Sequence, residues 1–591
     1  MSRWTKKRKR FDYEKMAKAL GISPVCACIL ANRGVSSYFE ALDFLSCDME
    51  NIKSCEGMKD ADAGTKIILN ALKEKELIAI YGDYDVDGVM STVILYKALK
   101  SLGGNAIYYI PDRHSEGYGL NIEAVDELNK NGVKVILACD NGISAFKEVD
   151  FAKELGMKIV IIDHHEPSFV FEAGMKKEII PLADAVIDPK QEACPYGFSN
   201  FCAAGLSYKF AKGLFAKENK AFDETGEFLT YAAIATICDI VDVLDENRTI
   251  AKCGIENIKD TGNLGLDALI FESGLKDKKI TEYHIGFVIG PAINATGRLK
   301  SATLAIGLFI EEDSEKCLEI ARKLCDMNSS RKSMTLKAYD EALEIIKTNG
   351  YENHKVITVF SRDISESIAG IVAGRIKESF NKPAIVITSS DDFVKGSARS
   401  IETYNIFDAL LPHKGMFYKF GGHAMAAGFL MDNSGVSALR EALNIECCLC
   451  KEDFEPVFSI DCELKFKEIT HAVANGIMLL APFGKGNPVP LFGIKNLIAS
   501  GIRFLGADRS VVKMTFTDSE RTGSLNGVYF GGYENFIKIL KENYGGLICD
   551  KVMAGGNVKL NMDMVFNIDI NEFRGEESVQ LIIKDFRKAV L

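Results

Sequence analysis

Three short apolar runs in the first third of the chain each end in acid, and this repetition limits the fold more than any other feature. Leu77, Ile78, Ala79, Ile80 and Tyr81 lead into Gly82-Asp83-Tyr84-Asp85-Val86-Asp87-Gly88. Residues 133–139 lead into Asp140-Asn141-Gly142, and residues 158–162 into Asp163-His164-His165. Short β-branched runs between turn residues predict buried strands of a parallel sheet. In such sheets ligands bind in the crevice beyond the carboxyl ends of the strands. Neighbouring strands lie about 4.8 Å apart, so acids at their ends can converge on one or two cations.

A chain of 591 residues exceeds what one hydrophobic core holds, and three or four domains are expected. No apolar stretch is long enough to span a bilayer. The basic start, Arg3-Trp4-Thr5-Lys6-Lys7-Arg8-Lys9-Arg10, is followed by no apolar core, so it does not read as a secretory signal. A cytoplasmic protein without a membrane segment is expected, with its 16 cysteines as free thiols. Cys447-Cys448-Leu449-Cys450 lacks a second cluster at zinc-site spacing, and no metal is expected there. The net charge of −11 argues against gripping nucleic acid with the whole surface. A local basic groove remains compatible with it, because bound cations invert the field of clustered carboxylates.

Apolar spacing of three and four predicts helices over 14–20, 25–32, 38–45 and 60–72. From residue 77 to about 253 strands alternate with helices, 91–101 being the clearest, which predicts a doubly wound, mostly parallel α/β sheet. A helix over 231–237 delivers Asp239 and Asp242. A polar helix over 314–347, stopping at Asn349-Gly350, serves as a connector. A second, smaller α/β unit follows, with strands at 355–360 and 384–388 and a helix near 368–380. From about residue 456, alternation at 511–516 and 525–530 predicts an antiparallel β domain, a candidate barrel.

Asp83, Asp85 and Asp87 alternate, so in extended backbone they would project to one side. Carboxylates with imidazole suit Mn²⁺ or Mg²⁺ better than zinc. Two such ions can activate water and stabilise the entering and leaving oxygens of a phosphodiester. His164 and His165 are consecutive, so at most one is expected to be a direct ligand. Residues 290–298 read as a glycine-punctuated loop carrying Asn294 and Arg298. Arg298 there suits either a bidentate phosphate contact or a structural ion pair. Ser397, Arg399 and Ser400, beside Gly396, offer hydroxyls, backbone N–H groups and a guanidinium to an anion. Gly421-Gly422-His423 allows close backbone approach beside an imidazole.

Taken in order, these motifs resemble the DHH phosphoesterase superfamily and, within it, the RecJ family of bacterial single-strand-specific 5′→3′ exonucleases. Residues 81–88, 140–142 and 163–165 are similar to its first three motifs and Asp239 to its fourth acid. Residues 396–400 and 421–423 resemble motifs of its associated DHHA1 domain. Pro482-Phe483-Gly484-Lys485-Gly486-Asn487-Pro488 resembles the entry to its OB-fold domain. The resemblance implies Asp83, Asp85, Asp87, Asp140, His164 and Asp239 as ligands of two Mn²⁺ or Mg²⁺ ions. Asp85, Asp140, His164 and His165 are the implied catalytic set. Asn294, Arg298, Ser397, Arg399, Ser400 and His423 are implied to hold the strand, with Arg399 near its 5′ end.

The resemblance further implies hydrolysis of single-stranded DNA to 5′-mononucleotides in recombination and repair, by a monomer partnered by single-strand-binding protein and a helicase. The expected division is an N-terminal helical segment (1–60), a DHH domain (61–312), a connector (313–350), a DHHA1-like domain (351–450) and an OB-like domain (451–591). One departure stands out: where many relatives carry Trp-His-Pro-Gly, this chain has Ile364-Ser365-Glu366-Ser367. Two alternatives compete: a DHH phosphodiesterase for short oligonucleotides or cyclic dinucleotides, and a non-catalytic scaffold on a degenerate DHH fold. An added OB-like domain suits a longer strand, and a degenerate fold should have lost acids that are all present here.

Overall fold

The computed structural model describes residues 2–7, 12–113, 116–172, 175–299, 301–390, 393–506, 509–520, 522–573 and 575–589. Arg8, Lys9 and Arg10 of the basic N-terminus lie outside the described residues. The chain forms two compact units, one of residues 49–241 and 249–455, the other of 1–48, 242–248 and 456–591.

The larger unit begins with a parallel sheet in the order Asn105–Tyr109, Leu77–Tyr81, Val133–Cys139, Lys158–Ile162 and Ala185–Ile187. The three acid-terminated runs are therefore strands with the bounds their patterning predicts. The chain leaves the Leu77–Tyr81 strand, crosses to one side for Asn105–Tyr109 and returns to the other for Val133–Cys139. That reversal is the topological switch point at which doubly wound sheets bind ligands. Helices on both faces bury the sheet. Val86–Ser101 and Ala203–Lys217 pack into one apolar cluster with Ile78, Ile80, Leu137 and Ile162. Val125, Leu128, Val149 and Ala152 cover Ala79, Ile136 and Ile161 on the opposite face.

A 36-residue helix, Ser314–Asn349, follows and spans about 54 Å at 1.5 Å per residue. Asp313 caps its first turn through the N–H groups of Glu315 and Lys316, and Gly350 ends it at φ +68°. Beyond it lies a mixed sheet in the order Phe417–His423, Ala426–Met431, Phe393–Arg399, Ala384–Ser390 and Ile357–Phe360. Only the pairing of the last two is parallel. Helix Glu366–Phe380 buries Ile368, Val372 and Ile376 against Ile357, Val359 and Val386.

The smaller unit is a closed barrel. Phe492–Leu505 pairs with Val511–Thr517, which pairs with Leu525–Tyr529, then Glu576–Lys588, then Leu560–Phe573, which returns to Phe492–Leu505. Closure leaves the ring without a free edge. Helices Tyr13–Leu20, Pro24–Asn32 and Tyr38–Ser46 place Met16, Ile29, Leu30 and Ala41 in the same core as Phe492, Phe516 and Phe566. Strand Arg3–Lys6 runs parallel to Val457–Ile460. No helix among the described residues is long and apolar enough to cross a membrane.

Three sequence expectations differ from the structure. Asp83, Asp85 and Asp87 do not share one extended segment: Asp85, extended itself, is the N-cap of Val86–Ser101, and Asp87 sits in the first turn of that helix. Residues 290–298 are not a loop but continue a π-turn (Ile285–Ile289) through helices Gly290–Asn294 and Thr296–Leu299. The glycines there serve close packing. A Cβ on Gly290 would meet Cys238 Sγ at 2.3 Å, and one on Gly297 would meet Tyr84 O at 2.6 Å. Residues 393–399 form a strand paired on both sides, so their N–H groups serve the sheet rather than an anion. Gly396 lies under the Phe429 ring, which a Cβ would meet at 2.1 Å.

Candidate active site

The site lies where the parallel strands end. Asp85 Oδ1 accepts from the N–H groups of Asp87 (2.9 Å) and Gly88 (3.1 Å), turning the chain into the helix. Gly88 passes against the backbone of Asp83, to whose oxygen a Cβ would come within 2.5 Å. This close approach folds Asp83 back over the helix start and brings the acids together. Asp87 accepts from Ala203 N and Ala204 N, both at 2.7 Å, at the N-terminus of Ala203–Lys217. A carboxylate is favoured there by the helix dipole.

Asp140 follows the Val133–Cys139 strand at φ +62°, a conformation for which aspartate is one of the more tolerant residues. Asp239 caps the end of Glu227–Cys238, and the next residue, Ile240, is held at φ +58°. A β-branched residue in that region is strained, and such strain concentrates at functional sites.

His164 Nε2 lies 3.2 Å from Asp140 Oδ1, 3.5 Å from Asp87 Oδ2 and 3.7 Å from Asp239 Oδ2. Neither of its ring nitrogens has a hydrogen-bond partner, although both are buried; Asp83 Oδ1 and Asn141 Oδ1 are also unsatisfied. Ligand atoms of Asp83, Asp85 and Asp140 lie within 4.8 Å of one another. The same holds for Asp87, His164 and Asp239, and for Asp140, His164 and His165. All six predicted ligands are thus brought together. Among the described residues no other group of this kind occurs, and Cys450 Sγ instead meets Asp453 Oδ2 at 3.0 Å.

The electrostatics are those of a cation site. Burial first, and the Asp85 charge second, push Asp83 up to about 8 and Asp87 up to about 7. Asp239 rises to about 7 through burial and Asp87, and Asp140 rises well above the usual carboxylate range for the same two reasons. Burial lowers the His164 pKa, which favours the neutral, ligating imidazole.

Asp163 differs. It accepts from Ile143 N (2.9 Å), His164 N (2.7 Å) and His165 N (3.2 Å), and pairs with His165 Nδ1 at 2.7 Å. Burial, the largest single influence, would raise its pKa, but the His165 bond, the charges of His165 and His164 and the Ile143 N–H together outweigh it and hold Asp163 at about 2. Burial is also the largest influence on His165 and lowers it, but the same bond with the charges of Asp163, Asp239 and Asp87 together raises it to about 9. Asp163 therefore orients the histidine pair.

Around the acids lie groups that local patterning does not reveal. Tyr118 hydroxyl is 3.1 Å from Asp140 O and 3.2 Å from His165 Nε2. Arg113 stacks 5.0 Å over Tyr84. Asp188, at the end of strand Ala185–Ile187, is fully buried and raised to about 8 by burial and then Asp163. Arg298 donates to Ser367 O at 2.7 Å, so the departure at 364–367 supplies a backbone acceptor. Burial, then Arg113 and Arg331, with Arg399 contributing less, lower Arg298 to about 10. These like charges lie near one another, and guanidinium groups so placed are suited to an anion. The flanking Gly117 and Gly119 were the one signal for Tyr118; Arg113 and Arg331 are isolated in the chain.

The remaining predicted residues are placed unevenly. Arg399 donates to Ala398 O at 2.8 Å, lies against Gly370, and has no carboxylate partner among the described residues. His423 lines a recess of about 390 Å³ with Tyr118, Asn141, Ser144 and His165. Asn294 ends its short helix, half-buried, and Ser397 is half-buried opposite Gly428. Ser400 is buried and donates its hydroxyl to Tyr404 O at 2.5 Å, so it holds a turn rather than facing the recess. Asp242 pairs with Lys485 at 3.6 Å.

Fold and site together define a member of the DHH class. Residues 77–236 match the DHH family, N-terminal domain; residues 353–446 match the DHHA1 domain; residues 460–585 match the RecJ OB domain. The single-stranded-DNA-specific exonuclease RecJ of Bacillus subtilis (strain 168) is 34% identical over 591 residues, covering 99% of this chain and 70% of that protein. RecJ of Escherichia coli (strain K12) is 28% identical over 597 residues, covering 95% of each. The chain belongs to the RecJ family. The crystal structure of RecJ from Thermus thermophilus in complex with Mn²⁺ shares the fold at a TM-score of 0.82 and 22% identity, covering 100% of this chain and 80% of that one.

Proposed function

We propose that this chain is a Mn²⁺- or Mg²⁺-dependent exonuclease that hydrolyses single-stranded DNA from the 5′ end to 5′-mononucleotides, in recombination and repair. The observation that carries the reading is the convergence of Asp83, Asp85, Asp87, Asp140, His164 and Asp239 around buried, unsatisfied polar atoms. Carboxylates this crowded need a counter-charge, and oxygen-rich donors with one neutral imidazole fit these hard cations. Asp83, Asp85 and Asp140 would hold one ion, and Asp87, His164 and Asp239 a second. When bound, the ions supply an activated water and neutralise charge on the scissile phosphate.

The protein's own groups do the rest. Asp163 fixes the His165 ring, leaving His165 Nε2 and the Tyr118 hydroxyl to meet a phosphate oxygen or the leaving group. Arg298 and Arg399 bind the strand's phosphates, Arg399 nearest the 5′ end, aided by Asn294, Ser397 and His423. Residues 61–312 do the chemistry, 351–450 hold the strand end across the 313–350 connector, and 451–591 bind single-stranded nucleic acid. The reading implies a cytoplasmic monomer that works with single-strand-binding protein and a helicase.

The test is a digest of single strands labelled at either end, with Mn²⁺ and with chelator. Mononucleotides released from the 5′ end only with Mn²⁺ are expected. Cleavage of dinucleotides alone would favour the oligonucleotide phosphodiesterase, and no metal-dependent cleavage would favour the scaffold.

A further inference from the structure

We propose that a recess on the smaller unit, built around Trp4, is a second single-strand contact that takes one nucleotide of the DNA; this rests on the exonuclease reading. The recess, of about 240 Å³, is lined by Trp4, Lys6, Glu463, Ile494, Lys495 and Arg587, among others. It joins the N-terminal strand Arg3–Lys6 to the start of barrel strand Phe492–Leu505 and the end of Glu576–Lys588.

Trp4 is held rigidly. Its indole Nε1 donates to the buried Asp585 Oδ2 at 2.7 Å, and Ser2 Oγ reaches the same oxygen. Strand pairing with Val457–Ile460 fixes its backbone. The Arg587 guanidinium lies 4.2 Å from the ring centroid, a cation–π pair that presents a flat, cationic surface. A fixed aromatic costs little conformational entropy on binding.

The cations are poorly committed. Lys6 and Lys495 share Glu463 at 3.5 and 3.8 Å, and Arg587 meets Asp563 at 3.6 Å. The side chains of the three are 50%, 64% and 48% exposed, so these pairs contribute little and can be exchanged for phosphate. Asp563 and Asp585, the partners of Arg587 and Trp4, are themselves buried, so the accessible charges lining the recess are three cations and one carboxylate, which favours an anion. Proteins that bind single strands without sequence preference combine a cationic track with a stacking surface. An indole, a guanidinium and two ammonium groups around one nucleotide-sized recess are that combination.

Trp4 is the sole tryptophan of the chain, so its emission reports this recess alone. The full-length protein, in chelator to prevent turnover, is titrated with a fluorescently labelled oligothymidylate. Anisotropy of the label reports binding anywhere on the protein. Quenching of Trp4 in step with the anisotropy is expected. Lys495→Gln should weaken binding about fivefold at 0.1 M salt and lower the salt slope by about 0.7, one phosphate contact's share. Hydrolysis of a dinucleotide with Mn²⁺ should be unchanged in that variant. A rise in anisotropy with silent Trp4 and wild-type affinity in Lys495→Gln would overturn the site while sparing the exonuclease reading. Quenching by an acidic peptide but not by the oligonucleotide would overturn it in favour of protein docking. Absence of both binding and hydrolysis would remove the exonuclease reading and this site with it.

Discussion

Asp140 is the side chain on which most of the site's geometry turns. It is 3.2 Å from His164 and belongs to two of the three candidate ligand groups. Its φ of +62° makes asparagine the conservative replacement, because asparagine also tolerates that conformation. Asp140→Asn should lower kcat at least about a hundredfold, the scale for losing one electrostatic stabiliser. Its melting temperature in chelator should be unchanged or higher, since one buried carboxylate leaves a crowded group. Near-normal kcat would remove Asp140 from the ligand set.

The neighbouring carboxyls predict a pH dependence with a definite sign. Asp83 at about 8, and Asp87 and Asp239 at about 7, bind protons more tightly folded than unfolded. Their destabilisation is absent below the unfolded value near about 4 and develops as pH rises towards 8. In chelator, the melting temperature should fall between pH 5 and pH 8.5, and saturating Mn²⁺ should remove most of that fall. Asp163 works oppositely: held at about 2, it contributes stability above pH 4 that is lost as pH drops through 2. Equal declines with and without Mn²⁺, followed by calorimetry, would contradict the cation site.

Among the elements, the turn from Leu77–Tyr81 into Val86–Ser101 does the positioning. Gly88→Ala would put a Cβ within 2.6 Å of Asp83 N, C and O, backbone atoms that cannot move without displacing Asp83. Calorimetric Mn²⁺ titration should show lost affinity, together with a lower melting temperature. Gly374→Ala, in the helix Glu366–Phe380 with nothing near its Cβ, should stabilise by up to about 1 kcal/mol and leave Mn²⁺ binding alone. Strands of this unit were legible because buried parallel strands are continuous apolar runs ending at turn residues. Residues 290–298 were misread because glycine and proline signal turns, whereas here Gly290 and Gly297 let helices approach Cys238 and Tyr84. The clustering of Asp83, Asp85 and Asp87 was expected from their chemistry, but through one extended segment that the helix cap replaces.

Across the larger unit, the proposed cation ligands come from the ends of parallel strands (Asp83, Asp140, His164) and from helix termini (Asp85, Asp87, Asp239), while Arg399 and His423 come from the mixed sheet beyond the connector. Arg113, Arg331 and Asp188 were not legible, and Tyr118 was marked only by its flanking glycines, because only the folded chain brings single, widely spaced residues to one place. Arg399→Ala should reduce oligonucleotide affinity and the salt slope by about 0.7, measured by anisotropy; an unchanged slope would make Arg399 structural. The measurement that tests the central claim most directly is anomalous diffraction at the manganese edge from crystals grown with Mn²⁺. Peaks bounded by Asp83, Asp85 and Asp140, and by Asp87, His164 and Asp239, are the predicted result. Manganese bound elsewhere, with these carboxylates unliganded, would contradict the account.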